Sequence, residues 1–431
     1  MLLVYPGALH APGWGDPGEP NTHMVYVYSF LKEYFDVAVV DLELEFGGPR
    51  DDPERSRFLE LSLNRILSFD VDYVAISCWS SMNYLASRHL AEKIKERNPD
   101  IKIIVGGYHP TLVGEDFEYE NTPFDYVVRG DIGNVLKVLG RHASESGNPR
   151  LHKPDFLSYP YSRFRGNVGI FLSTGCAFRC TYCMEYRKTW SACDVSEAIE
   201  LIAHLEERLN PRSILILDAC FGLNKKWRKA FLLACTEREH SCGFWVQTRV
   251  DLIDDKDLEM LSKLKIKIDF GVDSFSRTML RIMNKTKEPE AYLEKFLALS
   301  KKCSELGIEH DAYLIFNHPG ESEKTVEEHE AFFRTQVMPE LGNGALRVSS
   351  GTFSLFPGSY VYDHLDLFRE EYGTSVEHPA WWKEEGDQRA LSRRLTPSRD
   401  RSGQPFSVSP ERVNGLVQAF NGGSRRLRRD P

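Results

Sequence analysis

The chain has 431 residues, 42% of them hydrophobic and 27% charged, enough for two or three domains with buried cores. Its 54 Lys and Arg against 63 Asp and Glu leave a net charge of −9, which excludes a general affinity for nucleic-acid phosphates. No apolar run approaches the roughly 20 residues that span a bilayer. Met1–Val4 is not read as a signal peptide, because no basic start precedes it and Pro6-Gly7 ends the run at once. The expectation is therefore a cytoplasmic protein whose nine cysteines stay reduced and form no disulfide framework.

Taken in chain order, Leu2–Tyr5 is a predicted strand stopped by Pro6-Gly7, followed by a helical stretch at Met24–Tyr34 and a strand at Val37–Asp41. Tyr73–Ser77 is a third strand, and Ala86–Arg97 a helix with Leu90 and Ile94 on one face. Ile101–Val105 then runs into Gly106-Gly107, and Tyr126–Val128 into Arg129-Gly130-Asp131. Near-continuous Val/Ile runs separated by helices mean parallel strands buried on both faces, hence a Rossmann-like α/β domain over residues 1–143. Ligands in such sheets sit beyond the carboxyl ends of the strands, where small or polar residues stand: Ser77, Gly106, Gly107, His109, Gly130 and Asp131.

Residues 144–165 lack periodicity and read as a linker. A second α/β series covers 166–356, with strands at Val168–Leu172, Ile214–Leu217, Phe244–Gln247, Ile268–Val272, Ala312–Phe316 and Leu346–Leu355. Helical patterns such as Val195–Leu209 and Pro289–Leu306 separate them. Six such units predict a partial (β/α)6 barrel, with chemistry at the C-terminal ends of its strands. Residues 357–431 form a C-terminal extension with a short amphipathic helix at Pro410–Phe420 and a basic tail, read as a frayed terminus. The aromatic stretches Phe356–Tyr360 and His378–Trp382 are read as packing ahead of a substrate pocket.

Cys176, Cys180 and Cys183 follow directly on the first strand of the second domain, at Cys-x3-Cys-x2-Cys spacing. Three thiolates in one short loop suit three irons of a [4Fe–4S] cubane and leave the fourth iron open. A structural zinc site wants four closed ligands, usually as two separated pairs. Cys193, the nearest later candidate, has no paired partner. The other six cysteines, Cys220 among them, read as small buried apolar residues.

This three-cysteine loop, with Tyr182 as the aromatic before its last cysteine, resembles the radical S-adenosylmethionine (SAM) superfamily. The resemblance implies that SAM chelates the open iron and is cleaved by one electron to a 5′-deoxyadenosyl radical. It covers most of the second domain and extends to later strand ends. Asp218 resembles the family's second-strand acid, although Ala219 stands where a second acid is usual. Arg249 resembles the residue near the cofactor carboxylate. Asp273-Ser274 resembles the Gly-Val-Glu-Ser motif, with an aspartate one methylene short. Tyr182, Asp218, Arg249, Asp273 and Ser274 are thus the implied SAM contacts.

The first domain is similar to the cobalamin-binding domain of B12-dependent radical SAM enzymes, through Val105–Thr111 and Asp125–Asp131. The implied cobalamin contacts are Ser77, Trp79, Ser80, Gly106, Gly107, Tyr108, Gly130 and Asp131. The Asp-x-His-x-x-Gly motif that supplies a lower axial histidine elsewhere is absent, so His109 is not given that role. The expected activity is a cobalamin-dependent methyl transfer to an unactivated carbon of a small-molecule or peptide substrate. An external one-electron reductant such as flavodoxin or ferredoxin would drive it. The alternatives are a radical rearrangement or cyclisation without methyl transfer, and a non-catalytic sensor that keeps the fold.

Overall fold

The computed structural model describes residues 1–11, 21–141, 153–161, 166–185, 188–341, 345–396, 412, 415–416 and 418–420. The chain divides into two compact units, Met1–Arg165 with His378–Ser392, and Gly166–Glu377 with Arg393–Pro431.

In the first unit, β1 (Leu2–Tyr5), β2 (Ala38–Asp41), β3 (Tyr73–Ser77), β4 (Lys102–Gly106) and β5 (Tyr126–Val128) form one parallel sheet in the order β2-β1-β3-β4-β5. β1 is buried along its whole length, as a strand covered on both faces must be. Its helices are α1 (Thr22–Leu31), α2 (Leu42–Phe46), α3 (Asp52–Leu67), α4 (Tyr84–Arg97), α5 (Tyr108–Leu112) and α6 (Asn134–Val138). α3 goes unpredicted because it is polar and buries little beyond Phe58, Leu63 and Ile66. Its start is nevertheless well marked, by the Asp51 carboxylate accepting from Glu54 N and by a proline in the first turn. The strand order has its switch point between β1 and β3, where doubly wound sheets open a ligand crevice.

The second unit is a six-stranded parallel sheet whose strands neighbour one another in chain order. They are β6 (Asn167–Ile170), β9 (Ser213–Ile216), β10 (Gly243–Thr248), β11 (Ile266–Asp273), β12 (Glu309–Phe316) and β13 (Leu346–Thr352). A two-residue hairpin, β7 (Ser173–Thr174) with β8 (Ser191–Ala192), interrupts the series after β6. The connecting helices are α7 (Val195–Leu209), α8 (Lys225–Thr236), α9 (Asp255–Leu261), α10 (Arg277–Ile282), α11 (Pro289–Glu305) and α12 (Glu323–Phe332). This is the partial barrel expected from sequence. β13 ends three residues early because the chain leaves the sheet at Phe353, which packs with Leu355, Val361 and Phe368 in a separate apolar cluster. Of the predicted Pro410–Phe420 helix, the described residues are helical and bury Leu416 and Phe420; the basic tail lies outside the described residues.

One buried carboxyl makes a pH prediction. Glu321, in the turn before α12, accepts from Asn317 N, while its other oxygen has no hydrogen-bond partner among the described residues and lies 3.7 Å from His329 Nε2. Burial pushes its pKa up from 4.5 to about 8. A carboxyl raised in this way favours the fold below 4.5, and that contribution drains away as pH rises through about 8. Glu321→Gln should therefore gain stability over the parent as pH rises from 4.5 to about 8, with the gap constant above that. Thermal melts of both proteins across that range check it.

Candidate active site

The cysteine loop is held at the strand ends by Asp218, just past β9. Its carboxylate is buried and accepts three hydrogen bonds from the loop's approach, from Leu172 N at 2.8 Å, Ser173 N at 2.9 Å and Ser173 Oγ at 2.6 Å. Burial raises its pKa to about 6, against the pull of those donors. Beyond this latch Gly175 turns at φ +76°, with the Thr189 carbonyl oxygen only 2.3 Å from where a Cβ would stand. Cys176 N then donates to Lys188 O, and Thr181 N to Met283 O. The β7–β8 hairpin closes the excursion at its base.

Around the thiols the unit gathers buried charge. Arg249, after β10, donates from Nη1 to Cys180 Sγ at 3.6 Å, lies 3.7 Å over the Phe178 ring, and grips Asp251 at 2.8 and 2.7 Å. Its Nη2 also donates to Lys285 O at 2.7 Å. Lys285 is itself buried, with Nζ 2.5 Å from Asp273 Oδ2, the same oxygen that accepts the Tyr182 hydroxyl. Burial alone would discharge that ammonium, and the Asp273 carboxylate beside it keeps it protonated. Asp273 reaches this position at φ +67°, where β11 slips register against β12; such a bulge re-aims a side chain.

Two residues here were not anticipated from sequence. One is Lys285. The other is Cys220, which the sequence reading placed in the core and which hydrogen-bonds the Cys176 thiol, the largest influence lowering that thiol's pKa. Cys220 stands two residues past Asp218, so the strand-end rule could have found it. Lys285 carried no such signal, since only the fold brings the loop after α10 to Asp273.

The structure thus brings Tyr182, Arg249 and Asp273 together against the cysteine loop. Asp218 and Ser274, the other two expected SAM contacts, are each hydrogen-bonded within the protein. Asp218 spends its carboxylate on the loop, and the fully buried Ser274 hydroxyl meets His329 Nε2 at 2.9 Å and accepts from Ser276 N at 3.0 Å. Among the described residues no three His, Cys, Asp or Glu converge to hold a single metal ion. Three unoxidised thiols facing two buried cations nevertheless fit an anionic iron–sulfur cubane, whose irons take one thiolate each.

In the first unit, Ser77 is buried at the end of β3 and Gly106 is partly exposed at the end of β4, while Trp79, Ser80, Gly107, Tyr108, Gly130 and Asp131 lie at least partly exposed beyond the strands. The Trp79 ring stacks on His23 and meets Tyr108 edge-on at 4.5 Å. Gly107, at φ +124°, is required for a reason internal to the protein: a Cβ would lie 2.4 Å from Cys78 O. Asp131 accepts from Gly133 N, and Gly130 N donates to Thr111 Oγ1. His109 is buried with both ring nitrogens engaged, at Ser81 Oγ and at Asp116. These small and polar residues at the ends of β3, β4 and β5 would suit cobalamin, while His109 is engaged within the protein.

Fold and site together define an enzyme with an iron–sulfur loop on a partial barrel and a cobalamin-type domain before it. Residues 170–333 match the radical SAM superfamily, and residues 20–139 match the B12 binding domain. The chain belongs to the radical SAM superfamily, among its members that carry a B12 binding domain, and its cofactors are a [4Fe–4S] cluster, SAM and cobalamin. An uncharacterized methyltransferase of Pyrococcus horikoshii is 25% identical over 343 residues, 72% of this chain and 72% of that protein. The anaerobic magnesium-protoporphyrin IX monomethyl ester cyclase of Rubrivivax gelatinosus is 23% identical over 426 residues, 88% of this chain and 70% of that protein. The solved structure of the radical SAM methyltransferase TsrM from Kitasatospora setae, with tryptophan substrate and a SAM analogue bound, aligns with a TM-score of 0.66. That alignment covers 100% of this chain and 89% of that one at 18% identity, a likeness of fold.

Proposed function

We propose that the protein is a cobalamin-dependent radical SAM methyltransferase acting on an unactivated carbon of a small-molecule or peptide substrate. The observation that carries this reading is the cysteine loop latched at the strand ends of a barrel, in one chain with a B12 binding domain. The methyltransferase names of the Pyrococcus horikoshii and Kitasatospora setae proteins support it. When bound, the cluster and SAM supply a 5′-deoxyadenosyl radical able to take hydrogen from a strong C–H bond, and cobalamin supplies the methyl group.

The chain's own residues would then divide the work. Cys176, Cys180 and Cys183 hold the cluster. Asp218 fixes the loop that carries them, and Arg249 and Lys285 set positive charge against the thiolates in a dry site, where it counts most. Tyr182, Arg249 and Asp273 form the wall facing SAM, with Ser274 keeping that strand end in place through His329. Reduction comes from an external one-electron donor such as flavodoxin or ferredoxin, with no nucleic-acid or membrane partner expected. No helix among the described residues is long and apolar enough to cross a bilayer.

Ring closure or rearrangement without methyl transfer is the second reading, favoured by the likeness to the Rubrivivax gelatinosus cyclase. Product analysis separates the two. A methyltransferase accumulates 5′-deoxyadenosine and S-adenosylhomocysteine in comparable amounts once its substrate is present. Formation of 5′-deoxyadenosine without S-adenosylhomocysteine would favour ring closure.

A further inference from the structure

The segment His378–Ser392 belongs to the first unit although almost the whole second unit separates it from residues 1–165. Trp381 and Trp382 are buried there, and the attachment is polar as well as apolar. Gln388 N donates to His10 O at 2.9 Å, and Gln388 Nε2 to Trp382 O at 2.9 Å. Trp382 Nε1–H donates to Asp116 Oδ2 at 2.6 Å, while Lys383 Nζ lies 2.5 Å from Asp116 Oδ1.

Asp116 is buried and has a third partner, His109 Nε2 at 3.2 Å. An ionised carboxylate can only accept, so Nε2 must carry the ring proton. Burial lowers the basicity of His109 and keeps the ring neutral, so Nδ1 is left as an acceptor. It lies 2.9 Å from Ser81 Oγ, which must donate. The chain of donors therefore runs one way, from Ser81 through His109 to Asp116, and Trp382 and Lys383 fix its far end.

Its near end reaches the proposed cobalamin site. Ser81 directly follows Ser80 after β3, and His109 directly follows Tyr108 in the first turn of α5, just past β4. The Ser81–His109 bond pins these two strand-end segments to each other, and His109 N also lies 3.4 Å from Cys78 O. We infer that Trp382, Lys383, Asp116, His109 and Ser81 are positioning residues for cobalamin, through which the C-terminal segment holds the Trp79–Ser80 and Gly107–Tyr108 segments in their binding arrangement. This rests on the reading that cobalamin binds at these strand ends. No member of the relay need touch the cofactor. Outer-shell partners of this kind commonly set binding affinity by roughly 10- to 100-fold.

Hydroxocobalamin titrated into the full-length, cluster-loaded protein and followed by absorbance tests this. Asp116→Asn leaves one acceptor oxygen for His109 and Trp382 but removes the negative charge and sets an NH2 donor against Lys383, so the segment's far anchor is lost and affinity should fall roughly tenfold or more. Trp382→Phe, which removes only the N–H, should fall in the same direction by less. Iron content and SAM cleavage should stay at parent levels in both. Leu90→Ala, in the buried face of α4, controls for loss of stability alone and should bind cobalamin as the parent does. Parent-like affinity in folded Asp116→Asn, or an equal loss in Leu90→Ala, overturns the inference. A parent protein that takes up no cobalamin overturns the cobalamin reading itself, and the inference with it.

Discussion

Single replacement of Cys176, Cys180 or Cys183 by alanine should abolish SAM cleavage and strip most of the iron from the protein. The parent, reconstituted without oxygen, should hold about four irons and absorb broadly in the near-ultraviolet and visible. Each thiolate anchors a different iron, so loss of any one leaves an iron without its protein ligand. No neighbour can replace it in kind except Cys220, which already meets Cys176. Cys193 and Cys303 should tolerate the same change with cleavage nearly intact. Cys193 sits where its N–H donates to Leu172 O, at the base of the excursion, and Cys303 is buried in α11. Iron and ultraviolet-visible measurements on the five variants decide the matter. Purified parent carrying tight zinc and no iron would defeat the assignment.

Gly175→Val should have nearly as large an effect without touching a ligand. The left-handed backbone at this position costs a residue with a Cβ about 1–2 kcal/mol. The greater penalty is steric. A Cβ would stand 2.3 Å from Thr189 O and 2.8 Å from the carbonyl carbon, and both are backbone that cannot swing aside. The loop must then leave the β7–β8 base, and the three thiols lose their common origin. Iron retention should fall nearly to the level of the cysteine variants. The second unit keeps its helical signal, since the sheet from β6 to β13 does not depend on this turn. Parent-like iron content in Gly175→Val would contradict the account of the loop.

Much of this was readable before any coordinates. Tyr73–Ser77 and Val195–Leu209 have the same bounds in sequence and structure, for local reasons. The strand is a Val/Ile run covered on both faces. The helix has a capping box at Asp194 and Glu197, and Ala198, Leu201, Ile202 and Leu205 lie along one face. What escaped was set by distant parts of the chain. The β7–β8 hairpin is two residues long on each side and has no periodicity to see. Lys285 looks like a surface lysine until the fold sets it against Asp273. The tasks of Asp218 and Ser274 depend on hydrogen bonds to Ser173 and His329, which no strand-end motif encodes. The return of His378–Ser392 to the first unit is likewise invisible locally, although reading Trp381 and Trp382 as core packing was right.

The central claim is methyl transfer by a radical route, and the isotopic fate of the methyl group tests it most directly. An unactivated carbon cannot attack a sulfonium methyl. It must first lose a hydrogen atom, and then receive its methyl from a centre able to release one to a carbon radical. Reduced protein loaded with cluster and cobalamin, given methyl-deuterated SAM and its substrate, should place the intact labelled methyl in the product. One 5′-deoxyadenosine and one S-adenosylhomocysteine should form for each methyl transferred. An altered but unlabelled product, formed with 5′-deoxyadenosine and without S-adenosylhomocysteine, would contradict the account.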